Sequence, residues 1–203
     1  MALAVGLPFG LIAASSTPAW AVVKVNATNY KVHCTSITGT ISFSPALKLP
    51  GTTSGAEKST VKLTLGGCTA TPTTGGTAVT VTKGVVSGAL TGSGGSACTG
   101  LLGSSAQSGT LTTKWTTSPA LSSGSTVLTP HTVLGGTNGT NGTFSIPGAV
   151  PPSATGSFQG TDGGASTIAS AVTSQTVTQL LTSCGTALGL KSVSIASGTL
   201  TSQ

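Results

Sequence analysis

Apolar and polar residues alternate along most of this chain. The pattern runs through Val22 to Val25, Val32 to Phe43, Thr60 to Leu65, Ala78 to Val86, Thr110 to Thr116, Thr126 to Val133 and Thr143 to Ile146. A period of two, carried by β-branched residues, predicts strands with one face on a core and the other in water. In Val61-Lys62-Leu63-Thr64-Leu65, the three apolar side chains share one face and Lys62 and Thr64 the other. Between these runs lie Pro50 to Gly55, Gly92 to Ser96 and Gly135 to Gly142, where glycine and Asn-Gly supply turn conformations cheaply. The doubled Asn-Gly-Thr of the last cluster is too short to define a solenoid and reads as a turn.

One segment changes period. Val177, Leu180, Leu181 and Cys184 fall at i, i+3, i+4 and i+7, with Ser174 or Thr176 available as a cap and Gly185 just past the end. That spacing predicts a short helix carrying Cys184 to the core, followed by a strand near Leu190 to Leu200. The expected fold is all-β: one antiparallel β-sandwich or barrel-like domain with a short C-terminal helix.

Composition supports the pattern. The 203 residues suit one domain. Thr (39), Ser (28) and Gly (30) dominate. Mean hydropathy is +0.36, too apolar for a disordered chain. Thr and Val stand where a helical protein would carry Glu, Lys, Arg and Leu. Basic residues number 8, all Lys, against Glu57 and Asp162, for a net charge of +6. The lysines are dispersed and not interleaved with aromatics, which argues against nucleic acid and leaves weak attraction to anionic envelope polymers.

Residues 6 to 14 form a short apolar run, and Ala19-Trp20-Ala21 supplies the small-x-small pattern of a signal-peptidase site. Residues 1–21 are expected to be a signal peptide and residues 22–203 the extracellular domain, secreted or held at the cell surface. Met1 to Gly6 lacks the usual positive charge, which leaves the true start of translation open; the competing reading of residues 6 to 14 is a buried strand. No later run approaches the roughly 20 apolar residues of a membrane-spanning helix.

Cys34, Cys68, Cys98 and Cys184 lack metal-ligand spacing, and neither His33 nor His131 completes a zinc set. No metal or cofactor is expected, and the cysteines fit two disulfides in an oxidising compartment. Four cysteines allow three connectivities. The expected pairs are Cys68 with Cys98, stapling a glycine-rich hairpin region, and Cys34 with Cys184, tying the first strand to the C-terminal segment.

Candidate chemistry is sparse. Glu57 and Asp162 would have to meet across the fold to act as a glycosidase pair. His33 or His131 with Ser and one of those acids would make a triad, but no G-x-S-x-G elbow accompanies them. Ser59-Thr60-Val61-Lys62 matches S-x-x-K, a motif that needs a helical turn, whereas these residues sit in a β pattern and lack the companion motifs. Asn26-Ala27-Thr28, Asn138-Gly139-Thr140 and Asn141-Gly142-Thr143 are glycosylation sequons of use only in a eukaryotic host. Trp115 and Tyr30 are the candidate binding residues, because sugars stack on their ring faces. The competing role for Trp115 is core packing.

The export site, Cys34 with Gly39 to Pro45, Leu63 to Thr69, Lys114-Trp115, and Cys184 with Gly189-Leu190-Lys191 together resemble uncharacterised secreted, disulfide-containing β proteins of actinobacteria. The resemblance implies export and fold and transfers no active-site residue. The functional expectation is a non-catalytic envelope-associated β domain of structural role. The alternatives are a module binding a cell-wall glycan or another envelope component, and a minimal secreted hydrolase.

Overall fold

The structure, a computed structural model, describes residues 24–49, 56–92, 98, 101, 103–146, 153–160 and 168–202. The expected signal peptide and its cleavage site, the clusters at 50–55 and 93–96, and Asp162 lie outside them. The described strands are β1 (Tyr30–Leu47), β2 (Glu57–Pro72), β3 (Thr80–Gly92), β4 (Ser104–Ser118), β5 (Ser125–Thr129), β6 (Thr132–Asn138), β7 (Asn141–Ile146), β8 (Ser153–Gly156), β9 (Ile168–Thr176) and β10 (Leu190–Thr201), of which β8 and β9 lie outside the runs whose alternation predicts strands. The helix α1 (Val177–Cys184) lies between the last two. Val25, at the end of the first expected strand, makes only an isolated parallel bridge to Leu121.

The strands form one 10-stranded antiparallel sheet of order β3-β2-β1-β10-β9-β7-β6-β4-β5-β8, and β3 also pairs with β4. Along one edge β4 carries β3, from Thr80↔Ser118 to Gly92↔Gln107. Along the other edge it carries first β6 and then β5. The sheet thus curls until its pairings close a ring through β3, β2, β1, β10, β9, β7, β6 and β4, with β5 and β8 as a flap. Of the two architectures the sequence allows, this is the barrel-like one: the strands of the ring have neighbours on both sides, and β8 is left as the outer strand of the flap.

The strands run longer than alternation alone predicts. Gly66-Gly67 looks like the end of a strand, yet β2 continues to Pro72, paired to β1 in unbroken register. What changes there is which residues are buried. Before the glycines the buried positions are Ser59, Val61 and Leu65; after them Cys68 and Ala70 pack on the core. In β1, Ile37 and Phe43 give way in the same way to Cys34, Val32 and Tyr30. Gly67 has φ 58°, a left-handed conformation, and a Cβ there would lie 2.2 Å from Thr35 Oγ1. A glycine at this kink lets both strands switch parity without leaving the sheet.

Pro130 divides the expected Thr126–Val133 strand into β5 and β6. The Asn-Gly turn shrinks to residues 139 and 140 between β6 and β7, with Gly139 at φ 60°. The helix forms where its spacing predicts. Thr176 is the cap: its Oγ1 accepts from the Gln179 N–H at 3.2 Å, and Gln179 Oε1 accepts from the Thr176 N–H at 2.9 Å. Leu180 and Cys184 are buried, while Leu181 remains 37% exposed.

All four cysteines form disulfides, but not in the expected pairs. Cys34 bonds Cys68 and Cys98 bonds Cys184. The cause is register: the β1–β2 ladder sets Cys34 directly opposite Cys68, with Cα atoms 4.0 Å apart. Cys98 is then the partner left for Cys184, and the second bond ties the connection between β3 and β4 to the end of α1.

Candidate functional site

Inward-facing residues do not fill the ring evenly. At the end where β1 finishes and β2 begins they enclose a cavity of about 420 Å³. Its wall is Ile37, Ile41 and Phe43 from β1, Val61 and Leu63 from β2, Leu90 from β3, Leu111 from β4, Phe144 and Ile146 from β7, and Ala169 and Ala171 from β9. Alternation accounts for this wall, because every second residue of each strand points inward. Pockets that hold small molecules run from roughly 300 to 1,000 Å³ and are mostly apolar with a few placed polar groups.

The polar groups of this cavity are Glu57, Ser59 and Gln107, with Ser104 and Ser105 at the start of β4 and Ser145 of β7. Glu57 pairs with Gly92, and Gly92 with Gln107, so the three form one row across β2, β3 and β4. Ser59, 7% exposed, donates its hydroxyl to Glu57 Oε1 at 2.5 Å. Burial raises the Glu57 carboxyl above the usual carboxylate range, opposed in part by that hydrogen bond. Gln107 Nε2 donates to Ser105 Oγ at 2.9 Å. Gln107 Oε1 is buried and has no hydrogen-bond partner among the described residues.

The opposite end of the ring is plugged by aromatic rings. Trp115 follows Leu111 and Thr113 on the inward face of β4 and meets Phe158 edge-on, with ring centroids 5.0 Å apart. Tyr30 meets Phe158 from another side at 6.5 Å. The Trp115 indole N–H donates to Thr126 Oγ1 at 2.8 Å, and Tyr30 Oη donates to the Thr77 carbonyl at 2.7 Å. Tyr30 is buried at 5% exposure and Trp115 half-buried, so the structure brings both candidate binding residues together in a packed cluster. Gly84 makes room for the indole: a Cβ there would lie 2.7 Å from Trp115 Cζ3. A polar recess of about 460 Å³ lies beside Tyr30, lined by Lys24, Asn26, Asn29 and Thr77 among others.

Phe158, the centre of that cluster, is not signalled by alternation. It has φ 59°, a left-handed conformation costly for a residue with a Cβ. Backbone bonds hold it there: Phe158 N–H to Ala27 O at 2.8 Å, Gln159 N–H to Thr28 O at 3.0 Å and Gly160 N–H to Tyr30 O at 3.0 Å. The flanking Gly156 and Gly160, both at positive φ, are its trace in the sequence.

The other candidate groups are scattered. His33 Nδ1 lies 2.8 Å from Thr201 Oγ1 on an exposed strand position, and His131 is exposed before β6. In Ser59-x-x-Lys62 the strand turns Ser59 into the cavity and leaves Lys62 exposed. Asn26 Oδ1 accepts from the backbone and hydroxyl of Thr28 within its own sequon. Among the described residues no cluster of three or more His, Cys, Asp or Glu could hold a metal, and no helix is long and apolar enough to cross a membrane.

Glu57 and Gln107 were within reach of sequence reasoning. Stepping back by two from Val61 gives Ser59 and Glu57 on the same face, and stepping back from Leu111 gives Gly109 and Gln107. Ending the strands at Thr60 and Thr110 hides both residues. Nothing among known protein families, curated proteins or solved structures matches the chain.

Proposed function

We propose that this chain is an exported, non-catalytic β domain that holds a small apolar ligand of the cell envelope inside its barrel. The observation that carries the reading is the cavity of about 420 Å³ walled by Ile, Leu, Val and Phe at one end of the ring. Filling such a space with an apolar molecule removes surface from water on both sides at roughly 25 cal/mol per Å². Two disulfides and the export-like segment at residues 1–21 support an extracellular setting. The resemblance to secreted actinobacterial β proteins supports an envelope one.

The test uses the oxidised chain exported by its expression host and a neutral apolar fluorophore, N-phenylnaphthylamine. Saturable uptake is expected, with affinity reduced on the order of tenfold in Leu63→Trp, whose indole would occupy the cavity. Thermal unfolding checks that the variant folds. A folded protein that takes up no fluorophore would sink the reading and leave a structural envelope role in its place.

A further inference from the structure

Resting on the cavity as a ligand site, we infer that it selects a neutral single-chain amphiphile with a hydroxyl head over the fatty-acid anion of equal length, seating that hydroxyl between Gln107 and Glu57. Both residues line the cavity, and the position between them in the cross-strand row is a glycine. Gly92 stands between them in the row, and a Cβ there would lie 3.1 Å from Gln107 Nε2 and 3.7 Å from Oε1. The Gln107 amide therefore lies over Gly92, in the space a side chain would have filled.

The hydrogen-bond directions fix what this polar lip asks of a ligand. Ser105 Oγ donates to the Val133 carbonyl at 3.4 Å, so its lone pair takes the Gln107 Nε2 proton. That orients the amide with Oε1 as a buried acceptor without a partner among the described residues. The Ser59 proton is likewise committed to Glu57 Oε1. Gln107 Oε1 is thus the acceptor that asks a ligand for a proton.

A hydroxyl supplies one proton to Gln107 Oε1 and keeps lone pairs for neighbours. A carboxylate brings no proton for Gln107 Oε1, and none of the residues lining the cavity is a cation that could pair with it in these apolar surroundings. An ammonium would need Glu57 ionised as its partner, which burial opposes. The volume, about 420 Å³, lies toward the small end of ligand pockets and suits one alkyl chain rather than two.

The experiment is calorimetric titration of the oxidised chain with decanol, decanoate and decylamine, which share a tail and differ in the head. Decanol is expected to bind roughly tenfold tighter than decanoate at neutral pH, and Gln107→Met to remove most of that advantage while leaving decanoate unchanged. Should Gln107→Met fail to fold, Ser105→Ala frees the amide to turn over and is expected to narrow the same ratio. Equal affinity for decanol and decanoate, unmoved by either variant, overturns the hydroxyl-head inference while the cavity reading stands. Tightest binding of decylamine, abolished by Glu57→Gln, also overturns it, in favour of an ion pair. If none of the three binds a protein that takes up N-phenylnaphthylamine, the head assignment falls alone; if the fluorophore is refused too, the cavity reading falls with it.

Discussion

Among single residues, Glu57 carries the most consequence. It is a carboxyl facing an apolar cavity, and desolvation raises its pKa despite the hydrogen bond from Ser59. The folded chain therefore holds this proton more tightly than the unfolded chain does. The stability linked to its neutral form is complete below the ordinary glutamate value of 4.5 and is lost as pH rises through the raised folded value. Urea unfolding across that window is expected to show the wild type losing stability with pH and Glu57→Gln following a flatter curve; parallel curves would reject the role. The residue was half legible. Its parity with Val61 and Leu63 predicts an inward position, but where the strand begins is set by pairing to β3, which periodicity does not report. Phe158 was less legible still, because backbone bonds from residues 158–160 to Ala27, Thr28 and Tyr30 fix its conformation, and the flanking Gly156 and Gly160 are the one local sign of it.

At the scale of elements, local chemistry was the most readable part. The helix from Val177 to Cys184 declares itself through its spacing, Thr176 and Gly185, all contained within about three turns of chain. The disulfides did not, because their partners depend on which strands become neighbours. Cys34 meets Cys68 only because β1 and β2 form an antiparallel ladder with that register. The two bonds should differ in worth. Their half-cystines are 34 and 86 residues apart, and in the chain-entropy view the longer closure restricts the unfolded state by about 0.8 kcal/mol more. Denaturant midpoints are expected to fall further for the Cys98→Ala, Cys184→Ala double variant than for Cys34→Ala, Cys68→Ala. The reverse order would mean that native contacts around Cys34 outweigh loop entropy.

For the whole molecule, closure of the sheet has a consequence for resistance to proteases. A protease must draw its target out as an unpaired extended segment before it can cut. Lysine is the residue trypsin seeks, and Lys58, Lys62 and Lys114 each sit in a strand with partners on both sides: Ser44 and Thr91, Thr40 and Ser87, Val85 and Ser125. Their side chains are exposed, yet the peptide bonds after them are locked into the ring. Cleavage at these lysines then waits on unfolding and follows the population of the open chain. Mass spectrometry of a trypsin digest is expected to show them uncut in the oxidised protein and cut once both disulfides are reduced in mild denaturant; rapid cutting of the native protein there would mean the ring opens readily. A strand held by partners on both sides offers no extended segment to an enzyme that must grip one, and in β1, β2, β3 and β4 that protection comes from the fold itself.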